Sequence, residues 1–572
     1  MTASRGKTRT RRRRWFQVGL LTLWAALMTP LLLWGLPSRS RDHLLFGGEP
    51  PWPAERYAAT AALNQLQTQS LGADTDLNPV ATTDRVVDLT PDDAARAEIL
   101  RRYRLYSRQP DEMIVFRALQ RMRPRELDFD PRLYQYGGAY LYLVAGVLAT
   151  GHALGLTSLS GDVGTYLTQP ELFARFYVAA RLLSLVFGGF TLIAVHRLAA
   201  QAAGRRAGYA AAVLLAGTGV FMTAVTEAKP HLPAACMLLW ATLSALRYRR
   251  AARLRDLVRS SVQAGLAFGL VLTGILGALL LPAAVAGRRR ALARAIFAGA
   301  LLLGVYVATN PYVPYNWLTG RAALTSNLDN SLAMYRGQMA RAADGFVRAA
   351  HLLVESTGWV VPIAGLVGGV LALRRYPVPT AVAGVCAVAT FVMAALLGAD
   401  KPTEYARFLI LPVALLAVGT AVLLGGWLRR RRALGLLAAF LVVTTLPYPL
   451  YGHALRRDAG DVGESRLLAG EFLASHMRPD DAVGVFQEPA PYAVPPLDFN
   501  RRRVFLIPRH EPAQTNEPLP EWLVFTSDEL VAPAKAWWQA HYTPVVTFPP
   551  SDSLLSPITW ANKPVSIYRL AR

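Results

Sequence analysis

Residues 11–36 read RRRRWFQVGLLTLWAALMTPLLLWGL. Four arginines run straight into about 22 uncharged, mostly apolar residues, enough helix at about 1.5 Å per residue to cross a hydrocarbon layer of about 30 Å. Basic residues on one flank hold that flank on the cytoplasmic side. No small-x-small cleavage site follows Leu36 and many apolar runs come later. The segment is therefore expected to stay as an anchor with a cytoplasmic N-terminus, rather than be removed as a leader or twin-arginine signal.

Working outward, the same alternation repeats. Apolar runs lie at 172–199, 208–226, 232–246, 262–286, 291–309, 359–373, 380–397, 408–427 and 433–446. Arginines gather between them: Arg197 with Arg205 and Arg206, Arg247 through Arg259, Arg288 to Arg290, Arg374 with Arg375, and Arg429 through Arg432. Segments 37–171, 227–231, 310–358, 400–404 and the tail from Tyr451 are then expected outside. The 572 residues are 53% hydrophobic and 17% charged, with a net charge of +23. In a soluble chain that excess would suggest nucleic acid; spaced as it is here, it marks topology, and no nucleic-acid partner is expected. Cys236 and Cys386 both sit inside apolar runs, so no disulfide framework is expected.

Two segments disturb the parity. Residues 262–286 have basic loops on both sides, which predicts a discontinuous or re-entrant pair broken near Gly274 or Gly277. Residues 133–154, rich in Tyr and Gly, are expected to lie in the outer interface with Tyr134, Tyr136, Tyr140 and Tyr142 at headgroup level. The expected fold is an α-helical polytopic membrane protein with about eleven membrane segments. It occupies residues 1–450, with 37–131 as its first outside loop; residues 451–572 form a small extracytoplasmic α/β domain. Thr90 and Pro91 read as the start of a helix over 91–107, and 112–122 as a short amphipathic helix. In the tail, helices are expected at 465–477 and 529–541, and strands at 482–486, 504–507, 522–525, 544–547 and 565–568.

The chemistry-bearing residues lie in the expected outside segments. Arg108-Gln109-Pro110-Asp111-Glu112 offers a carboxylate pair at a membrane surface, suited to a base or a metal ligand. The plainer account is that two acids occupy the first turn of a helix after Pro110, where they are favourable. Lys229 and His231 stand at one span end, and Lys401, Glu404 and Arg407 at the start of another. An arginine just inside an apolar run needs a partner, and Glu404 is three residues away. Arg175 and Arg181 enter a span in the same way, while the lysines equally suit snorkelling from helix ends. His231 suits a metal or a simple hydrogen bond; Asp128 and Asp130, before Pro131, suit a turn. No Gly-x-Gly-x-x-Gly before a helix, phosphate loop, Cys/His cluster or nucleophile elbow is present.

In order, four stretches resemble the GT-C membrane glycosyltransferases of the protein mannosyltransferase and aminoarabinose transferase type (glycosyltransferase family 39). They are Gln109-Pro110-Asp111-Glu112 followed by Asp128-Phe129-Asp130-Pro131 and Tyr136-Gly137-Gly138; Arg181-Leu182-Leu183-Ser184 with Gly204-Arg205-Arg206; Glu227-Ala228-Lys229-Pro230-His231; and Glu404-Tyr405-Ala406-Arg407-Phe408 leading to Pro412. The resemblance covers most of residues 1–450. His231 departs from the Asp often found there, and Ala406 interrupts the family's Arg-Tyr pairing. The resemblance implies an inverting transferase in a bacterial cytoplasmic membrane, taking a sugar from a polyprenyl-phosphate donor to an acceptor glycan, lipid or protein on the outer face. It implies Asp111 as base, with Glu112 beside it; Arg407, Lys229, Lys401 and Arg181 at the donor phosphate; and His231, Asp128 and Glu404 at an acceptor or metal site. A divalent metal ion stays open as a cofactor. The competing readings are a lipid or glycan transporter or flippase, and a non-catalytic assembly partner of the same shape. Ionisable residues at span centres and internal repeats, which would favour transport, are nearly absent. Within the enzyme class, a ligase using a lipid-linked oligosaccharide is the alternative.

Overall fold

A computed structural model describes residues 17–60, 86–399, 401, 403–425, 464–508, 519–526, 532–549 and 563–571. The expected span 433–446 and the arginines at 429–432 lie outside the described residues. The chain divides into two compact units, one drawn from 1–32, 114–147 and 179–452, the other from 33–113, 148–178 and 453–572.

The first unit is helical. Among the described residues of the whole chain, four helices are long and apolar enough to cross a membrane: Pro170–Ala203, Ala291–Thr309, Pro377–Leu396 and Glu404–Leu424. Two sharply bent pairs, Arg205–Ala216 with Gly219–Val225 and Met339–Thr357 with Val360–Arg375, raise this to six if each is one span. The expectation of about eleven segments also counted shorter apolar stretches, such as those now seen as Gln17–Leu33 and Leu272–Val285. It counted as well the His231–Ala251 helix, which is long but less apolar.

The segment 262–286 is discontinuous, as expected, but the break falls earlier. The Leu254–Leu270 helix ends at an extended Val271, and a 3-10 turn at Leu272–Leu279 leads into Leu280–Val285. Residues 135–137 fix the break by taking the freed backbone groups. Gly137 N donates to Leu270 O at 3.0 Å, Leu272 N to Gln135 O at 3.4 Å, and Tyr136 bridges Val271. Helix ends buried without water require such partners. The glycines serve the fold-back that follows: an added methyl at Gly274 would meet the Ala267 carbonyl oxygen at 2.1 Å.

Tyr136-Gly137 is therefore extended, and the helix begins at Gly138. Asn310 Oδ1 accepts from Gly138 N at 2.6 Å, and a methyl on Gly137 would lie 1.9 Å from the Gly269 oxygen. Tyr136 and Tyr140 are buried, rather than arrayed with Tyr134 and Tyr142 along an interface. The expected outside loop 310–358 is largely helical, at Tyr312–Thr319, Ala322–Tyr335 and Ala342–Thr357. Gly345 lets the last of these approach the Ala395 carbonyl of the Pro377–Leu396 helix.

The second unit carries a six-stranded sheet. Its strands are β1 (Val87–Asp88), β2 (Ala482–Val485), β3 (Arg503–Leu506), β4 (Trp522–Thr526), β5 (Tyr542–Phe548) and β6 (Val565–Leu570), in the order β1-β3-β2-β4-β6-β5. β2 runs parallel to β3 and β4; the other pairings are antiparallel. The helices Ser465–His476 and Ala532–His541 accompany it. Phe486, Phe505, Ile507, Leu523 and Trp538 form its core. The expected tail strands are all present. β1 comes from the first long loop and was not foreseen.

The helix expected at 91–107 spans Asp93–Leu105, and its cap differs from expectation. Asp92 caps it, accepting from Ala94 N at 2.8 Å. Thr90 instead ties the loop to the sheet, accepting from Val504 N at 3.0 Å. A carboxylate two residues before the first free N–H is the better acceptor.

Candidate functional site

Asp111 and Glu112 belong to the second unit, in a segment fixed at almost every residue. Ser107 N donates to the Tyr177 hydroxyl at 3.2 Å, and that hydroxyl donates to Leu105 O. Arg108 N donates to Gly35 O at 2.8 Å. Gly35 has φ +61°, and a methyl there would press on the Arg108 side chain at 2.8 Å. Gln109 N donates to Ser107 Oγ, and Gln109 Oε1 accepts from Asp111 N at 2.8 Å.

The two carboxylates then part ways. Glu112 opens the Glu112–Gln120 helix, is fully buried, and accepts from Ser107 Oγ at 2.6 Å. Asp111, the residue before it, is half-buried. Glu112 thus closes the loop on itself, while Asp111 is the less enclosed of the two.

Buried arginines surround this segment, each with a carboxylate. Arg102 pairs with Glu98 and Glu488, both at 2.8 Å, and Arg104 with Asp42 at 3.0 Å. Arg108 pairs with Glu464 at 3.4 Å, and the two side chains are 1% and 2% exposed. Glu464 also holds Arg466 and accepts from Leu467 N at 2.9 Å. Burial alone would raise the Glu464 carboxyl, but the Arg108 and Arg466 guanidiniums overcome it and hold the group at about 2.

The remaining candidates belong to the first unit. Lys229 and Glu227 are both buried and pair at 3.3 Å. Glu227 O also accepts from Ser184 Oγ at 2.6 Å, which ties this turn to the Pro170–Ala203 helix. His231 starts its helix with its ring edge-on to Tyr136 (5.9 Å) and to Phe408 (4.9 Å). Phe408 follows Arg407 in the 3-10 turn Thr403–Leu409, and Tyr405 packs on it at 4.5 Å. Lys401 lies 5.0 Å from the Tyr335 ring centre. The 227–231 turn and the 401–409 segment therefore meet through aromatic rings, bringing Lys229, His231, Glu404 and Arg407 to one end of the helices. Arg181 is fully buried and gives one donor to Leu32 O at 2.8 Å.

Asp128 belongs to an exposed turn. It pairs with Arg123 at 3.3 Å and Arg132 at 3.2 Å, and accepts from Asp130 N. That backbone bond, then the arginines, lowers its carboxyl from the usual range. Asp130 is the more enclosed of the two, accepting from Tyr134 Oη at 3.0 Å and Asn316 Nδ2 at 2.7 Å. Among the described residues, no three or more His, Cys, Asp or Glu side chains gather as a metal set. Sequence reasoning missed Glu464, Ser107 and Asn310, polar residues whose partners are remote or whose spacing matches no motif.

Residues 170–314 match the family model for dolichyl-phosphate-mannose-protein mannosyltransferase. Over this stretch the GT-C resemblance holds. It takes in Arg181, the Glu227–His231 turn and the broken helix at Val271; Asp111 and Arg407 lie outside it. No curated protein sequence matches the chain. The structure of the archaeal oligosaccharyltransferase AglB from Archaeoglobus fulgidus, in complex with an inhibitory peptide and a dolichol-phosphate, aligns at 14% identity and TM-score 0.39, over 86% of this chain and 65% of its own. The chain thus spans just under two thirds of that relative. The structure of ArnT from Cupriavidus metallidurans bound to undecaprenyl phosphate aligns at 15% identity and TM-score 0.41, over 76% of this chain and 88% of its own.

Proposed function

We propose that the protein is an integral membrane glycosyltransferase of GT-C type. It moves a sugar from a polyprenyl-phosphate donor to the hydroxyl of an acceptor glycan, lipid or protein, on the outer face of a bacterial cytoplasmic membrane. The observation that carries this reading is the family match over residues 170–314. In this reading about eleven segments cross or enter the membrane, the N-terminus is cytoplasmic and the tail is outside.

The Asp111 carboxylate takes the proton as the acceptor oxygen attacks the anomeric carbon. The bond from that carbon to the lipid phosphate breaks, and the phosphate leaves with the electron pair, inverting the centre. Support for Asp111 comes from its half-buried carboxylate on a segment whose neighbours are all fixed. A base held in place retains the geometry a proton transfer needs. The leaving phosphate requires positive charge, which Arg forks supply best. Arg407, Lys229, Lys401 and Arg181 are assigned there. Lys229 is already balanced by Glu227, and Arg181 gives a donor to Leu32. His231 and Glu404, beside them, are assigned to acceptor contact. Asp128 is assigned there too, with its carboxylate shared by two arginines. No step is routed through a metal ion.

The test is sugar transfer from radiolabelled polyprenyl-phosphate sugars in membranes, comparing wild type with Asp111→Asn at matched expression. Transfer lost in the variant supports the enzyme and its base. Equal transfer by both moves the base elsewhere. No transfer by wild type across a donor panel returns the transporter and assembly-partner readings.

A further inference from the structure

The tail carries no catalytic motif, yet it reaches the acidic loop. Its first described residue, Glu464, sits where the Ser465–His476 helix begins and caps it with a side chain that accepts from Leu467 N. Glutamate is an unusual cap, since Ser, Thr, Asp and Asn reach the free N–H groups with less chain to immobilise. The extra methylene lets Glu464 do two further things: bind Arg466 beside it and reach Arg108, 356 positions earlier in the chain. Both Arg108 and Glu464 are essentially removed from solvent. Losing a counter-charge in so buried a place is costly, so the pair holds the two side chains together.

Arg108 lies three residues before Asp111. Its backbone N–H is held by Gly35 O, and the loop it opens is closed by Ser107 and Glu112. Within this unit, the Arg108 guanidinium is therefore a point where the tail holds the acidic loop by charge. Arg102 repeats the device one step away, pairing with Glu488 of the tail. Tyr103, between the two, donates to Val494 O at 2.7 Å. The tail grips this stretch of chain at several points, the stacked Tyr106 and Tyr492 rings among them, and Glu464 holds it at Arg108, three residues before Asp111.

We propose that Glu464 is a positioning residue for the transfer reaction, acting through Arg108 to fix the loop that carries Asp111. The proposal rests on the reading of Asp111 as the base. It gives the tail domain a part in catalysis, since the tail completes the catalytic loop from outside the membrane-spanning sequence. Four groups bear on the Glu464 carboxylate: Arg108, Arg466, Arg41 and the Tyr103 hydroxyl. Converting Glu464 to an amide leaves the cations without their shared counter-charge, so a nearby carboxylate ionises at lower pH.

The experiment is Glu464→Gln in the full chain, assayed for kcat, donor KM and the pH profile of kcat/KM, beside Glu464→Asp. The expected result is a kcat at least ten-fold lower with donor KM within two-fold, and an acid limb moved to lower pH. Glu464→Asp, which keeps the charge one methylene shorter, should retain the wild-type limb and recover part of kcat. A folded Glu464→Gln protein with wild-type kcat and limb overturns the proposal. Should the amide variant fail to fold, wild-type kcat in Glu464→Asp overturns it equally, and a reduced kcat at unchanged KM supports it. Limited trypsin digestion separates this claim from the functional reading beneath it. Cleavage after Arg108 should be absent in wild type and appear in folded Glu464→Gln, whether or not any sugar is transferred. Equal protection in both proteins overturns the proposal even if the enzyme reading stands.

Discussion

The acidic loop at 107–112 and the cationic helix end at 227–231 and 401–409 are held in different ways. In the loop, hydrogen bonds of 2.6–3.2 Å fix nearly every residue to a named partner. At the helix end, beside the Glu227–Lys229 pair and the Ser184 and Arg348 bonds to the Glu227 and Lys401 carbonyls, rings 4.5–5.9 Å apart join the two segments. Directional bonds set a position and lose it abruptly when one member goes; ring packing tolerates small shifts. A base needs the first kind of support, whereas a set of cations meeting a diffuse phosphate charge can work with the second. The two regions should therefore answer mutation differently.

The sharpest break in that comparison is Asp111→Asn. It should lower kcat by about 10²–10⁴-fold, the range for loss of a general base, with thermal stability unchanged. Next comes Lys229→Met. Because it removes the buried counter-charge of Glu227, it should cost about 3–5 kcal/mol of stability, seen as a lower Tm in detergent. The double change with Glu227→Gln should recover most of that loss. If Lys229→Met instead lowers donor affinity at full stability, the pair is a phosphate site and not a structural one. Arg407→Gln should raise donor KM or lower kcat/KM by about 10–100-fold, the effect of one charge-assisted contact to phosphate. Its packing neighbours Tyr405 and Phe408 should keep the fold intact.

The smallest effect is one of pH. Glu464 is depressed in the folded state to about 2, from an ordinary value of 4.5. Its contribution to stability is therefore complete above about pH 4.5 and lost as pH falls towards about 2. Unfolding followed by circular dichroism between pH 6 and pH 3 should show a decline in wild type that is shallower in Glu464→Gln. Identical slopes would mean that the Arg108 contact carries no net stability, which weakens the contrast between the two regions.

Much of the fold was legible in the sequence because charge and hydropathy are local properties. The tail strands were visible as short apolar runs. The discontinuity in 262–286 followed from arginines on both flanks, but its position did not. Val271 breaks the helix because Gln135, Tyr136 and Gly137 arrive to take its hydrogen bonds, and that arrival is a tertiary event. The Asp92 cap displaced Thr90 for a related reason, since Thr90 was taken by β3. For the candidate site, the order of motifs is what proposes Asp111 and the cations. Nothing local separated Asp111 from Glu112; only burial and the Ser107 contact tell them apart. Glu464 was invisible because its partner is hundreds of residues away.

Strand β1 adds a constraint in time. Val87 pairs with Leu506, more than 400 positions later, and Asp88 with Phe505. At the usual 5–20 residues per second, a ribosome needs roughly 20–80 s to go from one to the other. Throughout that interval the segment that carries β1 has no sheet to join and its strand edge is bare. The acidic loop just downstream waits somewhat less long for Glu464, 356 positions after Arg108. A chain halted before Glu464 would thus form its earlier helices yet leave the acidic loop without this tie, so the late-made strands and Glu464 act as a check on half-finished copies.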